Sequence, residues 1–157
     1  MADGGFGSVA VACRSNGARN PNAQLRKPIT LDEYLAAPWV VEPLRRDDCC
    51  LVSDGAAAVV ITSSRLAKEL NLKGAVPILG LGQGQESWDV QSRPDLTSTM
   101  ARASADTAFR MAGLRPTDID VAQLYDCFTI AVLMTLEDYG FCKPGQAGAF
   151  CAEGGIA

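Results

Sequence analysis

The 157 residues suit one compact domain or parts of two larger ones, and 48% hydrophobic with 20% charged residues supports a packed core and argues against disorder. A net charge of −4 and a pI near 4.8 leave no basic footprint for nucleic acid. No apolar run approaches the roughly 18 residues of a membrane span, and MADGGFGSVAVAC lacks the basic start and apolar centre of a secretory signal, so the cytoplasm is the expected setting.

In chain order, Phe6, Val9, Ala10 and Cys13 fall at helical spacing, which predicts a helix over residues 1–20 stopped by Gly17 and Asn20-Pro21. After a polar connector, Thr30 and Glu33 have capping-box spacing for a short helix closed by Pro38. Asp54-Gly55 signals a turn, and AAAVVIT reads as a short central strand. Ser63 or Ser64 then caps the helix RLAKELNL, ended by Gly74.

VPILGLG reads as a second strand. Glycines 80, 82 and 84 open into a polar loop that contains Trp88. A glycine-spaced loop lets a backbone approach a phosphate, but no helix follows directly, so the dinucleotide fingerprint fails and a plain loop is expected. TSTMARASADTAFRMAGL predicts an amphipathic helix with Met100, Ser104, Ala108 and Met111 on one stripe and Gly113 as its stop. VAQLY reads as a third strand and FTIAVLMTLEDY as a buried helix ended by Gly140, while the glycine-rich tail shows no terminating element. The alternation predicts an α/β fold with helices covering a central sheet.

The six cysteines form no C-x-x-C pair and the chain has no histidine, so neither a zinc site nor a histidine base is expected within it. The adjacent Cys49 and Cys50 are awkward as joint ligands, and buried reduced thiols are the plain reading. Chemistry concentrates where the third strand meets the following helix, at Tyr125-Asp126-Cys127-Phe128. Asp126 can cap that helix. Tyr125, at the carboxyl end of a strand, either faces a ligand crevice, where a phenol serves an oxyanion or moves a proton, or packs in the core with its hydroxyl satisfied. Cys127 at a helix start has the setting of a nucleophile but no histidine to activate it.

Two long stretches carry a resemblance. RNPNAQLRKPITLDEYLAAPWVVEPLRRDDCCLVSDGAAAVVITSS resembles the middle of thiolase-superfamily proteins of the sterol-carrier, or lipid-transfer, branch. LYDCFTIAVLMTLEDYGFCKPGQAGAF is similar to the same branch at the start of its second half, and the likeness is collinear over nearly the whole chain. It implies part of the five-layered α-β-α-β-α thiolase-like fold, with mixed sheets covered by helices. Residues 1–74 would close the N-terminal half and residues 75–157 would begin the C-terminal half of a longer protein, whose nucleophilic cysteine lies upstream and whose histidine and second cysteine lie downstream.

The departure from the family falls at the corner. Ordinary thiolases have Asn-Glu-Ala-Phe there and the lipid-transfer branch has His-Asp-Cys-Phe, against Tyr125-Asp126-Cys127-Phe128 here. A tyrosine at the first position resembles the non-thiolytic aldolases that cleave steroid side-chain CoA esters together with a partner bearing an OB-fold and a zinc ribbon. The resemblance therefore implies an enzyme acting on a C–C bond next to a CoA thioester, by acetyl-CoA acetyltransferase-like acyl transfer or by retro-aldol cleavage of an acyl-CoA. It implies a catalytic Tyr125, with Asp126 and Phe128 at the substrate and no cofactor besides the CoA thioester itself. A homodimer, with an OB-fold/zinc-ribbon partner protein, is the expected assembly. The isolated chain is expected to be inactive. The competing expectation is a non-catalytic thiolase-derived scaffold that binds lipid or acyl-CoA and acts through partners.

Overall fold

A computed structural model describes residues 2–87 and 89–156; Trp88, placed by the sequence in the glycine-rich loop, lies outside the described residues. Six helices and one hairpin follow in the order α1 (Ala2–Arg19), α2 (Leu31–Leu35), β1 (Trp39–Val41), β2 (Leu44–Arg45), α3 (Ser64–Glu69), α4 (Ala101–Ala112), α5 (Thr129–Asp138) and α6 (Ala147–Ala152).

The core grows from α1. Its expected stripe is buried at Phe6, Val9 and Ala10, whereas Cys13 is exposed. Val9 packs with Val132 and Leu136 of α5 and with Ala147 and Cys151 of α6, while Phe6 and Ala10 pack with Tyr34 of α2. Helix α6 is a correction to the sequence reading, which left the tail without an element. It forms because Glu137 Oε1 accepts the Ala147 amide at 3.0 Å and because Gly148 meets Gly5 of α1 backbone to backbone. A Cβ on either glycine would stand 3.2–3.3 Å from the other's Cα.

Helix α2 carries the expected capping box, with the Glu33 amide donating to Thr30 Oγ1 at 3.1 Å and the Thr30 amide donating to Glu33 Oε2 at 2.8 Å. The β1–β2 hairpin, which turns at a cis Glu42–Pro43 bond, was not expected. Tertiary contact holds it: the Arg45 guanidinium lies 3.7 Å from the centre of the Trp39 ring and donates to the Ala37 carbonyl at 2.9 Å.

The glycines at 80, 82 and 84 belong neither to a phosphate cradle nor to an idle loop. A Cβ at Gly80 or Gly82 would overlap the carbonyl oxygen of Ala108 or Ser104 outright, and one at Gly84 would stand 2.6 Å from that of Met100. Every second residue of this segment thus meets every fourth residue of α4. The match is metric, since two extended residues and one helical turn both advance about 6 Å. Ser104 Oγ donates to the Gly82 carbonyl at 2.8 Å and seals the contact. The stripe predicted for α4 is its packed face at positions 100, 104 and 108, whereas Met111 is exposed. Asp138, at the end of α5, anchors the start of α4 by accepting from the Thr99 amide and hydroxyl at 2.7 Å and from Ser98 Oγ at 2.6 Å.

The three predicted strands behave differently from the helices. Among the described residues the ladders are the β1–β2 hairpin and an isolated antiparallel bridge between Cys49 and Phe128. Residues 56–62, 76–82 and 121–125 carry no ladder, and Val59, Val60, Ile61, Val76, Ile78 and Val121 are exposed. A strand meant to be covered on both faces has no stable place without neighbours for its backbone and side chains. The 157-residue chain is therefore expected to self-associate at micromolar concentrations; light scattering that returned a monodisperse 16.5 kDa particle would refute this.

Candidate functional site

The corner before α5 is held from beneath by the RRDDCC segment at residues 45–50. Cys49 pairs with Phe128, and the Cys50 amide donates to the Cys127 carbonyl at 3.1 Å. One residue to either side, Asp48 is buried and its Oδ1 accepts the Thr129 hydroxyl at 2.6 Å. Tyr34 Oη donates to the same carboxylate at 2.9 Å and the Arg45 amide at 2.7 Å. Neither Asp48 nor Thr129 was picked out from the sequence, because nothing local links residues 81 positions apart.

On this support the predicted site residues separate. Tyr125 is 81% exposed, with its ring out of the core, and Phe128 is 42% exposed. Asp126 is half-buried and does not cap α5. The helix begins at Thr129, with Phe128 in the N-cap position and no side-chain capping bond. The Asp126 carboxyl instead meets the Cys13 thiol of α1. Cys127 is half-buried beside it. The chain alternates at this corner, so Tyr125 points away from the body while Asp126 points toward α1.

Burial raises the Asp126 carboxyl from its ordinary value; the Cys13 hydrogen bond opposes this, and the charge of Asp48 adds a smaller upward push. Cys13 keeps part of its surface in solvent, yet desolvation by the atoms packed around it, then the Asp126 charge, push its thiol up to about 12, so it is a poor nucleophile at neutral pH. Burial and the neighbouring Cys142 push Cys151 up to about 11. The sign for stability follows. The folded protein holds the Asp126 proton more tightly than the unfolded chain does, so ionisation above the unfolded carboxyl value of about 3.9 costs stability. Asp126→Asn, which stays neutral and still accepts from Cys13, is expected to melt above the wild type at pH 7. The difference should shrink toward pH 3, and a lower melting temperature at pH 7 would contradict the assignment.

Two hollows lie elsewhere. One of about 840 Å³ is lined by Val60–Thr62, α3 and residues 71–78, and one of about 290 Å³ lies between α1, Leu31 and α6; neither includes Tyr125. Among the described residues no cluster of three or more histidine, cysteine, aspartate or glutamate side chains is placed to hold a metal ion, and no helix is long and apolar enough to cross a membrane.

The fold is that of a thiolase-like α/β protein. The solved structure described as Ltp2-ChsH2(DUF35) aldolase superposes with a TM-score of 0.83 at 37% identity, over 97% of this chain and 41% of that one. Residues 82–157 match the family described as thiolase C-terminal domain-like. It is 38% identical over 156 residues to the 17-hydroxy-3-oxo-4-pregnene-20-carboxyl-CoA lyase of Mycobacterium tuberculosis, covering 96% of this chain and 40% of that protein. It is 39% identical over 157 residues to the steroid side-chain-cleaving aldolase of Thermomonospora curvata, covering 96% and 40%. To the acetyl-CoA acetyltransferase of Methanocaldococcus jannaschii it is 37% identical over 150 residues, covering 94% and 38%. The chain thus spans about two fifths of the length of these relatives.

Proposed function

We propose that this chain is a segment of an enzyme that cleaves a C–C bond next to a CoA thioester by a retro-aldol step, with Tyr125 as the hydrogen-bond donor to the thioester oxygen. The observation that carries the reading is the placement of Tyr125: an exposed phenol on a backbone fixed by the Cys49–Phe128 bridge, at the mouth of α5. When the Cα–Cβ bond of a β-hydroxyacyl thioester breaks, the β-hydroxyl loses its proton and becomes the ketone carbonyl, the bond's electron pair is delivered into the thioester so that charge gathers on its oxygen, and a proton then returns to Cα. A fixed donor is worth most against such developing charge. A phenol already carries the proton that a donor needs, so this role asks only for geometry. Phe128, partly exposed on the same corner, offers an apolar wall for the acyl group; Asp126 supports the corner from the α1 side.

Two relatives named as a lyase and an aldolase of steroid side chains favour retro-aldol cleavage over acyl transfer. Acyl transfer, as in the acetyltransferase relatives, is the second course. In this reading the chain divides near residues 74/75 into the end of one thiolase-like half and the start of the other. The enzyme works without a bound cofactor, as a dimer in the cytoplasm, beside a partner protein of the kind joined to Ltp2 in the solved complex.

The test offers the full-length protein a 17-hydroxy-3-oxo-4-pregnene-20-carboxyl-CoA and, separately, acetoacetyl-CoA with free CoA. Release of a ketone and a shorter acyl-CoA from the first, with no CoA consumed, is the expected result. CoA-dependent cleavage of the second alone would replace it with acyl transfer. Binding of either without turnover would leave a non-catalytic acyl-CoA-binding module.

A further inference from the structure

We propose that Asp48 and Thr129 are positioning residues that fix the backbone from which Tyr125 and Phe128 project; the inference rests on the role given to Tyr125 above. Asp48 is 2% exposed at the end of a short 3₁₀ turn, Arg46–Asp48. Its two oxygens gather donors from three parts of the chain: the Tyr34 hydroxyl of α2, the Arg45 amide at the start of its own turn, and the Thr129 hydroxyl of α5. A buried carboxylate supplied with several donors is held in one orientation, because losing any donor leaves a polar atom unsatisfied.

Thr129 is the first residue of α5, where Phe128 makes no side-chain cap. The angle at which the chain enters the helix is therefore set by the long-range Thr129–Asp48 bond at 2.6 Å rather than by local capping. The next two links run in register, Cys49 to Phe128 and Cys50 to Cys127. Three successive connections then precede Tyr125, which has no buried contact to hold its own place. The site reads outward from a buried carboxylate: Asp48 orients Thr129, the register carries the orientation along the corner, and Tyr125 inherits it.

The test uses the full-length protein with 3-fluorotyrosine placed at position 125. Thr129→Val removes the donor at nearly constant volume and is expected to shift or broaden the ¹⁹F resonance. It should also lower kcat by about tenfold or more with KM within about twofold, since small misplacements of a reacting group carry penalties of that order. Thr129→Ser keeps the hydroxyl and is expected to restore both. Gly82→Ala, whose added Cβ meets only the Ser104 backbone of α4 and neither Asp48 nor the corner, should lower the melting temperature and leave the resonance in place, which separates positioning from loss of stability. If Thr129→Val does not yield folded protein, Thr129→Cys, with its weak S–H donor, is expected to give a smaller shift in the same direction. An unmoved resonance and unchanged kcat in Thr129→Val or Thr129→Cys overturn the proposal. Unchanged kcat in Tyr125→Phe dismisses the catalytic reading instead, a result distinct from the resonance measurement.

Discussion

Replacing Tyr125 by phenylalanine in the full-length protein is expected to lower kcat for C–C cleavage by about 10²–10³-fold, the usual loss when one donor to a developing oxyanion is removed, equivalent to about 2.7–4 kcal/mol of transition-state stabilisation. The melting temperature should barely move. Within these 157 residues the ring is 81% exposed, so its hydroxyl serves no buried interaction of this chain, and the phenylalanine keeps the ring's shape. That division between lost rate and kept stability is what distinguishes a catalytic phenol from a structural one. KM should change little, because a contact that forms fully only as charge develops leaves ground-state binding alone. A rate within about threefold of wild type would remove Tyr125 from the mechanism, and a large fall in stability would mean that the phenol serves the fold.

The second large effect is on stability. Gly82→Ala is expected to cost about 3 kcal/mol or more, a fall of about 6–12 °C for a chain of this size. The added Cβ would run into the Ser104 carbonyl, which is backbone on a helix that cannot slide away. Asp138 pins the start of α4 through Ser98 and Thr99, and the Gly82 carbonyl is itself tied by Ser104 Oγ. The clash must open the contact between residues 80–84 and α4 and leave the Ser104 hydroxyl without its partner. Gly55→Ala is the control, since a Cβ there meets nothing within 4 Å, and it should be neutral to within about 0.5 kcal/mol. Equal melting temperatures for the two variants would show that residues 80–84 do not pack on α4.

What could be read from the residues and what could not divide along a physical line. Thr30 with Glu33, Ser63 before α3, Gly113 at φ +69° after α4 and Gly140 at φ +79° after α5 were legible because capping acts within one turn of chain. The Asp126 cap misled. The acid stood near a helix start, but the chain runs two residues further before α5 begins, and α1 offers Asp126 a thiol instead. The glycine series was seen and its cause was not, because a close approach is a property of two segments and only one is visible in the run GLGQG. The β1–β2 hairpin and α6 escaped for the same reason: Arg45 on Trp39, Gly5 against Gly148 and Glu137 on Ala147 each join positions with no common local signal.

By itself the amino-acid sequence determined helices α1 to α5, the caps of α2 and α3, the apolar runs and the likeness to thiolases, and it singled out the corner at residues 125–128, since each of these depends on residue type at short spacing. Tertiary structure alone decided which way that corner faces: Tyr125 outward, Asp126 against Cys13, and Thr129 bound to a carboxylate 81 residues away. The direction of a side chain at a turn is set by what lies beneath it, and here that support is a buried aspartate whose donors come from three separate parts of the chain.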